Sequence, residues 1–220
     1  MVINFFNGLL KIFNYLSDRA IKGSHIHIIS TGHETITFLL SGLKYSLDLS
    51  DKAQTLQSHS YPLKACHNLH CMAPEIFEQN TIGYNYKADI YSIGLLCCEL
   101  SNGFVPFYDA PSDELLLCKI LGNQPLLLDS TIITKNWTSL KNSCPEQMSE
   151  ITDKLKKRHE KYLLKKYTEK FKDFVTVGCL HIEPARRLNA AELLMHPFIV
   201  TQSAKADLFK ILKKKFLRSF

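Results

Sequence analysis

Apolar side chains at Phe6, Leu9, Leu10, Phe13 and Leu16 recur with a helical period, with Lys11 and Asn14 on the other face, and predict an amphipathic helix over 3–16. Two short β-like runs follow at 26–30 and 35–40. Ser30-Thr31-Gly32-His33 between them supplies turn chemistry, so the pair predicts a hairpin. Residues 44–70 keep no period and are rich in Ser, His and Gln, the pattern of a long irregular segment. Residues 88–100 are apolar on nearly every side, which predicts a helix enclosed by the core. Asn102-Gly103 supplies its stop, and Pro106 prevents continuation. A second helix is predicted over 112–121, with Ser112 as N-cap and Asp113 and Glu114 in its first turn. Residues 130–150 are polar and unpatterned. Residues 154–172 set many Lys among Leu155, Tyr162, Leu163, Tyr167 and Phe171, and predict a solvent-facing basic helix running into a buried one at 171–180. A further helix over 190–195 precedes His196-Pro197-Phe198, and the tail 205–220 is amphipathic and basic. The expected architecture is mainly α with a little β, without internal repeats.

Composition narrows the function classes. The chain has 220 residues, 45% of them hydrophobic, and 27 Lys+Arg against 21 Asp+Glu for a formal charge of +6. That suffices for one well-filled core. No uncharged stretch reaches the roughly 18 apolar residues of a spanning helix. The apolar N-terminus lacks the basic n-region and cleavage site of a signal peptide. Seven cysteines are an odd number, and Cys97-Cys98 lie side by side in an apolar run. This suits reduced thiols, so the expected compartment is cytoplasm, nucleus or both. Positive charge is gathered in 154–172 and 205–220 rather than interleaved with aromatics, so nucleic acid is not an expected partner. The basic stretch reads as a solvated face, with an acidic partner or a membrane surface as the other reading. The tail reads as packing on its own domain, with anionic lipid as the other.

Three ordered clusters resemble the C-terminal lobe of a protein kinase. Met72-Ala73-Pro74-Glu75 is similar to the Ala-Pro-Glu that closes an activation segment. Asp89 opens the buried helix in Ala88-Asp89-Ile90-Tyr91-Ser92-Ile93-Gly94, and Glu183-Pro184-Ala185-Arg186-Arg187 resembles the "D-P-x-x-R" before the last helices. The resemblance implies a buried bidentate ion pair between Glu75 and Arg187, and an Asp89 carboxylate held by backbone N–H groups of the catalytic loop.

The more specific resemblance is to the STE20-related adaptor pseudokinases, over roughly residues 5–200. The run from Gly83 to Gly94 resembles their "GY(N/D)xKSDIYSVG", and the run from Cys98 to Phe107 their "CELANGxVPF". Leu115, Leu117, Lys119 and Gly122 fall on "MLLxKLxG", Arg19 to Ile26 on "RS(V/I)KASHI", and Leu40-Ser41-Gly42-Leu43 on "LSGL". The resemblance divides the chain into a kinase-like large lobe (1–200) and a basic tail (201–220). Within the lobe, 44–75 is activation-segment-like, and 130–170 is an insert with the basic helix.

Phosphoryl transfer needs a carboxylate to orient the hydroxyl, two metal-holding side chains and a phosphate cradle with a Lys. Laid on a kinase catalytic loop, Asp18 stands at the His position, Ala20 at the catalytic Asp and His25 at the metal-binding Asn. Gly42-Leu43-Lys44 replaces Asp-Phe-Gly, which puts Gly42 at the second metal ligand. Alanine accepts no proton, and imidazole is a poor ligand for hard Mg²⁺. No Gly-rich loop or strand Lys has a counterpart here, so the expected fold is a kinase large lobe with its N-terminal lobe missing. No cofactor is expected, and ATP without metal would bind only with a small lobe supplied.

The resemblance implies a catalytically inactive adaptor that docks on a serine/threonine kinase of the liver-kinase-B type together with an armadillo-like helical-repeat scaffold. His59 and Tyr61, in the stretch falling on the family's "HDFP", are the expected partner contacts. The chain ends in Arg218-Ser219-Phe220 where the family has Trp-Glu-Phe, so a truncated copy with weakened function is a further reading. The alternative function is an active STE20-like kinase represented by its C-terminal lobe alone. Cys66-His67-Asn68-Leu69-His70-Cys71 has four soft ligands, but drawing all four from one hexapeptide would crowd a tetrahedral zinc. It is read as part of the activation segment.

Overall fold

Helix α1, Lys87–Asn102, is the element around which the rest is packed, and every residue from 88 to 98 is buried. A helix with no polar stripe cannot lie on a surface, so its neighbours must enclose it. Asn85 Oδ1 accepts from the Lys87 N–H (2.9 Å) at its start. At its end Gly103 takes the left-handed conformation (φ 86°), which places its N–H on the Glu99 carbonyl at 2.7 Å. The side chain of Asn102 then ties the chain beyond: Nδ2 donates to Leu126 O (2.8 Å) and Oδ1 accepts from Leu128 N (2.9 Å). The predicted buried helix and its glycine stop are both present.

The computed structural model describes residues 16–17, 25–30, 36–42, 47–48, 69–78, 83–107, 110–131, 162 and 164–201. Among them, the strands form two antiparallel pairs. Ile26–Ser30 (β2) and Ile36–Leu40 (β3) make the expected hairpin, with Ile26 opposite Leu40 and Ser30 opposite Ile36. Leu16–Ser17 (β1) pairs with Leu47–Asp48 (β4). Leu16 thus stands in a strand and not at the end of a helix over 3–16, whose other residues lie outside the described ones.

Helix α2, Ser112–Ile120, buries only Leu115 and Lys119. Its N-cap is Pro111, not Ser112, and no side chain caps it. Pro111, with its rigid φ, takes the cap one residue before the expected one, and Ser112 is the first helical residue. Helix α3, Glu169–Asp173, is capped by Thr168, whose side chain accepts from Phe171 N at 3.3 Å. It continues as a π-helical stretch, Phe174–Cys179, where the Leu180 N–H reaches Val175 O at 2.9 Å. Thr176 Oγ1 donates to Lys172 O (2.8 Å), a back-bond that competes with the regular ladder. The stretch buries Phe174, Val175, Gly178 and Cys179 against α1. Two short helices close the described chain: α4, Ala190–Leu194, with a capping box between Asn189 and Glu192, and α5, Pro197–Thr201.

The basic helix expected over 154–172 is not continuous: Tyr162 is helical, 165–168 are irregular and helix resumes at Glu169, with 154–161 and 163 outside the described residues. The reason is that its side chains have other work. Lys165 Nζ (2.5 Å) and the Tyr167 hydroxyl (2.8 Å) both donate to Ser101 O, one of the last carbonyls of α1. Lys172 Nζ sits 3.1 Å from the fully buried Asp129 carboxylate. Residues 132–161, and the tail from 202, lie outside the described residues.

Helix α1 is packed tightly at Gly94. A Cβ there would stand 2.6 Å from Leu180 Cγ and 2.8 Å from Cys179 Cβ. Gly94→Ala is therefore expected to destabilise the protein by about 1–3 kcal/mol, read as a lower urea midpoint. A midpoint equal to or above the parent's would refute this packing.

Candidate functional site

Arg187 is 1% exposed, and every N–H of its guanidinium is used. Nε donates to His181 O (2.7 Å). Nη1 donates to Glu75 Oε1 (2.5 Å) and Lys87 O (2.9 Å), and Nη2 to Glu75 Oε2 (2.8 Å) and Ile182 O (3.1 Å). Five donors meet five acceptors, two of them a bidentate carboxylate. The guanidinium carbon also lies 4.8 Å from the Tyr91 ring centroid. Lys87 answers in the opposite sense, its Nζ donating to Arg187 O. Burial lowers the Lys87 pKa, nearby Arg187 lowers it further, and Glu192 pulls it up.

Local sequence brings these groups together. Pro74 opens the single 3-10 turn Pro74–Ile76, which aims the buried Glu75 inward. Pro184 opens another, Pro184–Arg186, after which Arg187 is extended. Just before Glu75, three consecutive carbonyls are taken by side chains. Lys119 Nζ donates to His70 O (2.9 Å) and to Met72 O, while Ser92 Oγ donates to Cys71 O (2.7 Å). The stretch 69–76 is thereby fixed to α1, to α2 and to the 181–187 loop.

A second cluster lies at the open end of the hairpin. Ser41 N donates to His25 O (2.8 Å), and His27 Nε2 lies 2.7 Å from Ser41 Oγ. Gly42 has φ 83°, and a Cβ there would come 3.0 Å from Cδ2 and 3.1 Å from Nε2 of His25. The hairpin thus places His25 and Gly42 against each other. Asp89 stands in the first turn of α1 at 1% exposure. Ala20, the catalytic-loop stretch around it, His59 and Tyr61 lie outside the described residues, as do Cys66 and His67.

The protein kinase domain family matches residues 47–199, most of the chain. The chain belongs to that family. Curated proteins similar to it include STE20-related kinase adapter proteins. The alpha form of Gallus gallus is 35% identical over 206 residues (87% of this chain, 52% of that protein), and that of Homo sapiens 33% over 208 residues (87% and 47%). The beta form of Homo sapiens is 30% identical over 214 residues (90% and 50%). The chain spans about half the length of the curated relatives it matches. Its described part is the mostly helical body of a kinase domain with the small hairpin. Among the described residues no helix is long and apolar enough to cross a membrane.

Within this kinase domain, sequence motifs pointed to Glu75 and Arg187, which the structure joins across 112 positions of chain. They gave no hint of the carbonyls of His181, Ile182 and Lys87, because carbonyl acceptors carry no residue signature. The sequence marks Lys119 only as part of a motif. A lysine four residues after Leu115, on the same face of an apolar helix, was the available signal.

Truncating one member of the ion pair strands a buried charge. Arg187→Met is expected to cost about 3–5 kcal/mol, whereas Glu75→Met combined with Arg187→Met loses less than Arg187→Met alone. Urea denaturation of both variants checks this. A double variant less stable than the single one would contradict it.

Proposed function

We propose that this chain is a catalytically inactive adaptor that binds a serine/threonine kinase of the liver-kinase-B type, with an armadillo-like scaffold, and shifts that kinase towards its active conformation. The observation that carries this reading is the contact between His25 and Gly42. In the kinase pattern these positions hold the two metal ligands, yet here one is an imidazole and the other a glycine at φ 83° against it. The groups at the hairpin mouth are imidazoles, a hydroxyl and a carbonyl hydrogen-bonded among themselves; imidazole is a poor partner for hard Mg²⁺, and none of these groups is the carboxylate that would offset its charge. Ala20 at the catalytic Asp position supports the same conclusion from sequence. A carboxylate restored at 42 would meet both a left-handed backbone and the His25 ring.

The anchoring side of the fold is, by contrast, fully furnished, with Arg187 satisfied at every donor. A rigid kinase-shaped surface without chemistry is suited to acting on a partner's conformational equilibrium. It does so only through contacts made better with one state than the other. Moving a partner from 1:99 to 99:1 takes a roughly 10⁴-fold difference in affinity. His59 and Tyr61 are the proposed contacts on the partner kinase, an imidazole and an aromatic ring suited to anchoring an interface. The relatives' name, kinase adapter, supports this reading.

Two measurements on the full chain test it. Mg²⁺ is expected to add nothing to any shift in melting temperature that ATP alone produces. The partner kinase and scaffold together are expected to be retained by the immobilised chain, and His59→Ala with Tyr61→Ala to weaken retention. Metal-dependent stabilisation together with phosphotransfer to a generic substrate would overturn the adaptor in favour of an active STE20-like kinase.

A further inference from the structure

We propose that Lys119 is a pH-responsive latch that ties the backbone of residues 70–72 to α2, so that this stretch opens more readily near neutral pH than above it. The side chain is fully buried, and its nitrogen is spent on two backbone carbonyls of the facing stretch, His70 O and Met72 O. Among the described residues no carboxylate lies within ion-pair distance of it. Glu75 is committed to Arg187. An ammonium in that setting has lost its water without gaining a counter-ion, which disfavours its charged form. The neutral amine keeps two N–H groups and serves the same two carbonyls, so closing favours it. Because α2 buries only Leu115 and Lys119, this contact is a large share of what holds the helix in place.

The charged and titratable surroundings set the window. Facing Lys119 are Glu75 on the Pro74–Ile76 turn, Cys71 and His70 on the latched stretch, and the Tyr91 ring of α1 with its centroid at 5.7 Å. Arg187 lies beyond that ring. On α2 itself, Asp113 and Glu114 are exposed and Cys118 is half-buried. Burial pushes Lys119 down to about 7, while Cys71 and Glu75 pull it up. His70 is held below 6.5 by burial and by the Lys119 charge, so it titrates beneath the window. The buried Cys98 thiol, pushed up to about 12 from 9.0, acts only above it.

The sign follows from proton counting. The opened stretch exposes Lys119 to water, where it takes a proton below its ordinary value of 10.5. The closed stretch takes one only below about 7. Between these the open form binds more protons, so closing becomes more favourable as pH rises, and below the window the dependence flattens. The limit is about tenfold in the opening equilibrium per pH unit. Opening would release the route by which His59 and Tyr61 join the body of the lobe. That consequence rests on the adaptor reading, whereas the latch itself does not.

Amide hydrogen exchange of the full chain at pH 7, 8 and 9 tests the latch, with protection in α1 as the internal reference. The protection factors of the Met72, Ile76 and Phe77 amides are expected to rise with pH by several-fold per unit, up to tenfold, beyond any change in α1. Lys119→Met is expected to abolish that slope. Ser92→Ala, which removes the neighbouring clamp on Cys71 O, is expected to lower protection at every pH while keeping it. A flat wild-type profile, or an unchanged slope in Lys119→Met, would overturn the proposal. Retention of the partner kinase at a single pH reports separately on the adaptor reading.

Discussion

A guanidinium that cannot lose its proton, enclosed by protein, leaves the chain little freedom. Arg187 must find an acceptor for each of its N–H groups, and it does so by drawing on three separate stretches: Glu75 before α1, the Lys87 carbonyl at the head of α1, and the carbonyls of His181 and Ile182. Any arrangement that moved one stretch away would leave a buried charge partly unmet. The ion pair thus fixes relative position more than it adds stability, in keeping with the modest net worth of buried pairs compared with apolar replacements.

Around that point the remaining polar contacts fall into order. Tyr91 offers its ring to both Arg187 and Lys119. Ser92 and Lys119 take the carbonyls of residues 70–72, so the stretch entering Glu75 is held along its length. The opposite end of α1 is closed by Lys165 and Tyr167 on Ser101 O. A kinase body is therefore built and braced, while the hairpin mouth carries His25 and Gly42 in mutual contact. The adaptor proposal rests on this firm scaffold together with an imidazole and a glycine where the kinase pattern has metal ligands.

How much of this was legible in the sequence depended on whether the cause was local. Helix α1 was, because apolar residues on all sides followed by Asn102-Gly103 admit one reading. The hairpin was, because two β-rich runs flank turn residues. The π-helical stretch was not: Phe174–Cys179 reads as ordinary helix, and only the Thr176 back-bond and the packing on α1 mark the change. The two-residue pairing of Leu16–Ser17 with Leu47–Asp48 is too short to show a period. The break in the expected basic helix at 165–168 is not legible, because Lys165, Tyr167 and Lys172 bond to Ser101 and Asp129, partners distant in sequence. The Glu75–Arg187 pair was visible through motif resemblance alone, since nothing within either motif reveals the other.

The account stands or falls on whether this kinase-shaped chain transfers phosphate itself or only changes a partner that does. Phosphate incorporation should be measured in the reconstituted assembly with Mg²⁺-ATP, once with an active partner kinase and once with a partner unable to catalyse. The account predicts that adding the chain raises incorporation with the active partner and gives none above background with the disabled one. Steady incorporation in the disabled assembly, dependent on this chain, would contradict it.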